Sequence, residues 1–418
     1  MKLINLFLAN AMTLLACQAF AHGPTVTPDL EVFISGSSAL QKTLGKTAGS
    51  MMQAGTIDVY YDNTSGGSNY RAYFGTVNGT GTALDGKKVL IHESAVGGSL
   101  MGVTPVAKAT AISRMKIETA TCTSTGAAYP SATYNCSATV NAVPDAGVSD
   151  MEPSLFVGSN LPIGTVQLNQ TELGHLFVQS QNAVVYGIAV SDNVYANVTN
   201  LSRFQITSLL TGSYQEWGPI NPSLAGHFVR VERRVSGSGT QASANAFFGG
   251  YPCSSGSVAL ADASFSNAGQ YEVAENASSG NVISSLNSDF AANKYAIGLL
   301  STDNVPGASD HWHFVSIDGV SPTIANVIAG KYDYFLEQTI QWRSVAVNGV
   351  AAPSGNMDLF LSTFKVRSGD PIIIATLPGL GALPGDYLPL LDSNYNVTNG
   401  VMRGTRQANT CSPYQLFF

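Results

Sequence analysis

An α/β fold is predicted by a pattern that occurs three times in this chain: a short apolar run, a turn of glycines and hydroxyls, and then a stretch of helical character. Length supports two cored domains, because removing an N-terminal export segment from the 418 residues leaves about 397. Charged residues make up only 11% of the chain, while Asn, Ser, Thr and Gly abound, so polar character rests on hydroxyls and amides.

In chain order, Met1 to Ala21 carries Lys2, an apolar segment Leu3 to Leu15 and the small-x-small site Ala19-Phe20-Ala21, the pattern of a signal peptide. Cleavage there makes His22 the first mature residue. Leu14-Leu15-Ala16-Cys17 offers a competing lipobox-like site that would anchor the chain through Cys17. The first unit runs from a strand at Val32-Phe33-Ile34 through Ser35-Gly36-Ser37-Ser38 into a helix over residues 39–52, with Ser38 as N-cap. The second follows Ile57 to Tyr61, where Thr64-Ser65-Gly66-Gly67-Ser68 leads into an expected helix over Asn69 to Phe74. Lys87 to Ile91 reads as a strand, a hairpin-like Ser/Thr/Ala-rich region carries Cys122 and Cys136, and Ala183 to Gly187 reads as a buried run. The third unit joins a strand at Val229 to Glu232 to Arg233-Arg234-Val235-Ser236-Gly237-Ser238-Gly239-Thr240 and a helix over Gln241 to Phe248. Gly249, Gly250 and Pro252 halt that helix. Farther on, Pro371 to Thr376 reads as a strand, Pro378 to Pro389 as a loop, and the terminal aromatics as strand or core packing.

The third turn is an anion cradle by composition. Glycines let backbone N–H groups approach an oxyanion, the open end of a helix favours negative charge, and arginine adds a cation. One such turn is more often a cap and nothing else. Three together favour a shared ligand.

Several segments resemble the phosphate-binding proteins of ABC importers, of the type 2 periplasmic binding protein class. Ile34-Ser35-Gly36-Ser37-Ser38 is similar to that family's first phosphate loop, Ser65-Gly66-Gly67 to its second, and Asp145 to Asp150 to its third contact segment. Arg234-Val235-Ser236-Gly237-Ser238-Gly239-Thr240 is similar to its Arg-x-Asp-Gly-Ser-Gly-Thr signature. Glu216-Trp217, Asn221-Pro222, Gly280-Asn281, Ala296-Ile297-Gly298 and Asp318 to Pro322 follow in the family's order, so the likeness spans about residues 31–335. It departs at Ser236, where the family has an aspartate, and at an insertion of about residues 70–143.

The resemblance implies a two-lobed α/β fold with two crossovers, near 188–191 and 314–318. Residues 22–190 and 316–418 would form domain I and residues 191–315 domain II. It implies an interlobe site made of Ser37, Ser38, Ser65, Asp150, Arg234, Ser236, Ser238, Gly239 and Thr240, in which Asp150 takes a proton from hydrogen phosphate. It also implies capture without catalysis or cofactor, a monomer, and an ABC permease as partner.

Once Cys17 is removed, Cys122, Cys136, Cys253 and Cys411 form an even set in an export context. Three connectivities are possible, and Cys122–Cys136 with Cys253–Cys411 is preferred. The net charge of −7 excludes a phosphate-neutralising stripe for nucleic acid. A periplasmic or extracellular location follows from the export signal. Sequons at Asn63, Asn197 and Asn396 matter only in a eukaryotic secretory pathway. A histidine-brace copper site at His22 lacks metal spacing elsewhere, although His311 and His313 alternate on one strand face. A serine hydrolase lacks the nucleophile-elbow order. A secreted structural or adhesive protein that keeps the binding fold is the alternative reading, motivated by the insertion and the extended C-terminal region.

Overall fold

The structure, a computed structural model, describes residues 22–383 and 400–416. The export segment with Cys17, Asn396, the second half of the loop expected at 378–389 and Phe417–Phe418 lie outside the described residues.

The chain opens on β1 (Leu30–Gly36), a 3-10 turn and α1 (Gln41–Ser50), followed by β2 (Asp58–Asp62), β3 (Tyr70–Thr76) and β4 (Lys88–Ser94). Next come α2 (Thr104–Lys108), β5 (Ile112–Met115), a hairpin of β6 (Cys122–Ser124) and β7 (Tyr134–Cys136), and β8 (Thr139–Ala142), which pairs back on β5. β9 (Ala146–Ser149) returns to the edge of β1, and α3 (Gln170–Gly174) leads into the 16-residue β10 (Leu176–Ser191).

Beyond it stand α4 (Asp192–Tyr195), β11 (Asn200–Leu201), α5 (Arg203–Leu210), β12 (Val229–Arg234) and α6 (Gly239–Gly249). These are followed by β13 (Glu272–Asn276), α7 (Ser279–Ala291), β14 (Tyr295–Ser301) and β15 (Trp312–Ile317). The chain then returns through α8 (Ile324–Ile328), β16 (Phe335–Arg343), α9 (Asn356–Ser368) and α10 (Pro371–Ile374).

The architecture is two-lobed α/β, built on one mixed sheet in the order β13-β12-β14-β10-β16-β9-β1-β4-β3-β2-β7-β6. Both lobes share β10. Its first part pairs antiparallel with β16, and residues 186–191 pair with β14 and β15. A register shift between Ser180 and Asn182, within the β16 ladder, bends the strand before it reaches β14 and β15. The run Ala183 to Ser191 is buried without alternation, as a strand covered on both faces requires. In the first lobe, α1 and α9 pack Leu44, Ala48, Phe360 and Phe364 against Val32, Ile34 and Ile91. In the second, Val282 and Leu286 of α7 meet Ala296, Leu300 and Trp312.

The expected strands at 32–34, 57–61, 87–91 and 229–232 and the helix after Ser238 all form. Three expectations are corrected. Residues 69–74 are not a helix: β3 lies there, held between β2 and β4, because its aromatic residues serve two cross-strand ladders at once. Pro371 to Thr376 is not a strand: Pro371 opens α10, whose N-cap Asp370 accepts the Ile372 N–H at 2.9 Å, and this start signal outweighs the β preference of three isoleucines. The first cap is Ser37 rather than Ser38, since a 3-10 turn precedes α1 and the Ser37 hydroxyl accepts the Ala39 N–H.

The stretch 70–143 is no appendage, for β3 and β4 are interior strands of the sheet. Cys122 bonds Cys136 across the hairpin, and Cys253 bonds Cys411. His22 gives its Nε2 to Thr76 Oγ1 and packs on Phe74. His311 and His313 both place Nδ1 on the Asp192 carboxylate.

Candidate functional site

β1, β4 and β9 run parallel, so their carboxyl ends at Gly36, Ser94 and Ser149 lie along one edge, the place where α/β sheets present ligands. The turns after these strands deliver Ser37, Ser99 and Asp150. From the other lobe, the turn after β12 delivers Arg234, Ser238, Gly239 and Thr240.

Asp150 is the centre. Only 2% exposed, its Oδ1 accepts the Ser37 hydroxyl at 2.6 Å and the Gln338 amide at 3.3 Å, and its Oδ2 accepts the Ser99 hydroxyl at 3.2 Å. Burial pushes its carboxyl above the usual range, against the pull of Ser37, Arg234 and Ser99. The start of α6 closes directly over it. A methyl group at Gly239 would lie 2.4 Å from Ser99 Oγ and 2.8 Å from Asp150 Oδ2, so only glycine lets the helix end approach the carboxylate this closely. The lobes are fastened here by backbone as well, since the Leu100 N–H donates to the Gly237 carbonyl at 3.0 Å. Asp150 caps no helix; that position before the next 3-10 turn belongs to Glu152.

Arg234 is as deeply buried as Asp150, yet makes no ion pair among the described residues. Its guanidinium donates to the carbonyls of Asn276 at 3.2 Å and Ala277 at 2.9 Å, and to the Ser279 hydroxyl at 3.3 Å. Burial lowers its affinity for the proton, while Asp150 across the site raises it. Ser238 and Thr240 are equally enclosed, each 2% exposed, and Ser238 spends no hydroxyl on capping α6.

The residues expected from sequence do not all converge. Ser37, Asp150, Arg234, Ser238, Gly239 and Thr240 surround one buried centre. Ser38 lies beside it and lines an interlobe cavity of about 190 Å³ with Lys42, Ser68, Arg71, Ser279 and Asp303. Ser65 keeps its bonds within its own turn, accepting the Asn69 amide and, at its carbonyl, the Ser68 hydroxyl, and of the two serines only Ser68 lines the cavity. Ser236 turns to the Ser159 carbonyl at 3.3 Å and lines a different cavity of about 530 Å³ with Arg233.

Sequence reading missed Ser99, Gln338 and Tyr186. Ser99 carried a signal: Gly97-Gly98-Ser99 comes after an apolar strand in the same manner as the other turns. Gln338 and Tyr186 lie inside strands, where nothing local marks them.

No protein-family model and no curated protein matches this chain. Among solved structures, it is similar to a phosphate ABC transporter substrate-binding protein from Clostridium perfringens with bound phosphate, at 16% identity and a TM-score of 0.49 over 83% of this chain and 97% of that one. A phosphate transport receptor from Vibrio cholerae is similar at 16% identity and a TM-score of 0.45, covering 82% and 97%. PstS from Borrelia burgdorferi is similar at 12% identity and a TM-score of 0.40, covering 83% and 97%.

Proposed function

We propose that this chain is an exported solute-binding protein that captures inorganic phosphate, or a closely similar protonated oxyanion, between its lobes without chemical conversion. Residues 22–190 with 316–418 would act as one lobe and 191–315 as the other. The observation that carries the reading is Arg234: a guanidinium at 2% exposure with no ion-pair partner among the described residues, at the end of the strand whose turn leads into α6 and within the field of Asp150. A buried cation of this kind is costly until an anion joins it.

Asp150 sets the kind of anion. A carboxylate beside a ligand repels it unless the ligand brings a proton, which hydrogen phosphate has and sulfate at neutral pH lacks. The two disulfides accord with export, and an ABC permease is the partner such a protein would serve.

One observation favours the structural alternative. Asp150 already accepts three internal donors, so the polar cluster can stand as a fastening between lobes with no ligand. Calorimetry on the pure protein separates the readings. Capture requires phosphate binding that weakens by about 2 to 5 kcal/mol in Arg234→Ala, and a phosphate preference over sulfate that narrows in Asp150→Asn. Absence of any oxyanion binding by the unaltered protein would favour the structural role.

A further inference from the structure

We infer that the Tyr186 phenol is a direct donor to the bound anion, one that the phosphate-binding loops do not account for; this rests on the capture reading above. Tyr186 lies on the strand both lobes share and is fully buried, yet its hydroxyl has no hydrogen-bond partner. Buried hydroxyls are nearly always paired, so an orphan of this kind points to a group absent from the unliganded fold.

Its surroundings name that group. The hydroxyl lies within electrostatic reach of Asp150, Arg234 and Thr240, the centre where an anion would sit. The phenol lies near enough to the Asp150 carboxylate to favour that group's charged form, yet at hydrogen-bond geometry the carboxylate accepts Ser37, Ser99 and Gln338 and the phenol is left without a partner. A phenol in this position can offer its O–H to an oxygen carrying negative charge. Burial and the neighbouring carboxylate keep the phenol protonated far beyond neutral pH, so it donates throughout the physiological range.

The ring has little freedom to turn elsewhere. The Tyr186 N–H donates to the Tyr334 carbonyl at 3.1 Å, its carbonyl accepts the Tyr332 hydroxyl at 2.8 Å, and its ring packs on Tyr334. The site therefore pairs a donor that demands an acceptor, Tyr186, with an acceptor that demands a proton, Asp150. A singly protonated tetrahedral oxyanion meets both demands.

The test is Tyr186→Phe, which keeps the ring and deletes one oxygen. Titration with inorganic phosphate should show affinity reduced on the order of ten-fold or more, while the ligand-free melting temperature stays level or rises because an unpaired polar atom has left the core. In the unaltered protein, the Tyr186 ring resonance of a 13C-tyrosine sample, assigned by its loss in the variant, should shift on adding phosphate. If the unaltered protein binds phosphate and the variant binds it equally well, Tyr186 is a structural orphan and the inference fails while capture stands. If the unaltered protein binds no phosphate, the capture reading and this inference fall together.

Discussion

At the scale of single residues, Gly239 and Glu93 carry the sharpest consequences. Gly239→Ala places a methyl group against the Ser99 hydroxyl and the Asp150 side chain, both buried and bonded to each other, so neither can move aside without breaking that bond. The expected loss is about 1 to 3 kcal/mol of stability together with phosphate binding, read from urea unfolding and calorimetry. Gly174→Ala, at the end of α3, meets open space without a left-handed backbone and serves as the control. Glu93 on β4 is buried opposite Arg71, and its Oε2 has no partner. Burial lifts its carboxyl from 4.5 to about 7, against the pull of Arg71. The folded state then holds this proton to higher pH than the unfolded chain does. Its contribution to stability is greatest below about 4.5 and is lost as pH rises to about 7, by roughly 3 kcal/mol. Asp289 is also raised to about 7, so the difference between unaltered protein and Glu93→Gln isolates the Glu93 share. Urea melts at pH 5 and pH 8 should show the variant gaining most at pH 8.

At the scale of elements, the two disulfides differ in the loops they close. Cys122 and Cys136 are 14 residues apart, and Cys253 and Cys411 are 158 apart. By loop entropy, losing the first should cost about 3 kcal/mol and losing the second about 5. Denaturation of the Cys122→Ser/Cys136→Ser and Cys253→Ser/Cys411→Ser variants measures the ranking. The unit from β12 to α6 was legible because its signals agree: alternating apolar residues, a Gly-rich turn, an Ala-rich helix and a terminal pair of glycines. β3 misled because the Gly-rich turn before it looks like the other two, and only the neighbouring strands decide whether a helix or a strand comes after such a turn. α10 misled because three consecutive isoleucines favour a strand, whereas the Asp370 cap and Pro371 decide for a helix start. Asp150, Arg234 and Thr240 were readable as members of a loop set. Tyr186 was not, since an unpaired hydroxyl exists only once two lobes have closed over it.

At the scale of the whole molecule, the site is assembled by juxtaposition, with Ser37, Ser99 and Asp150 from one lobe and Arg234, Ser238, Gly239 and Thr240 from the other. On the capture reading, binding would require these two sides to come together, and in the described arrangement they are in contact: Lys42 pairs with Asp303 across the cavity mouth at 3.1 Å, and the Leu100 N–H bonds the Gly237 carbonyl. Adding phosphate to ligand-free protein should contract the radius of gyration in solution scattering, as hinge closure does. An unchanged radius would mean that the lobes rest closed without ligand. The Lys42–Asp303 pair itself should matter little, because Lys42 is half exposed and such pairs are worth at most about 1 kcal/mol.

The bond between Cys253 and Cys411 bears on time as well as on stability. Cys253 follows α6, whose start closes over Asp150, while the segment before Cys411 is held to the opposite side: Thr410 bonds Glu152, and the Thr405 hydroxyl bonds Glu337. The strap thus spans the gate as a short leash, and a leash restricts the widest excursions without altering the closed state. Narrowing the open ensemble alone tilts the balance toward closure, so escape of a bound anion should slow while affinity holds or rises. Residence time in this molecule would then be set partly by a covalent bond that never touches the ligand.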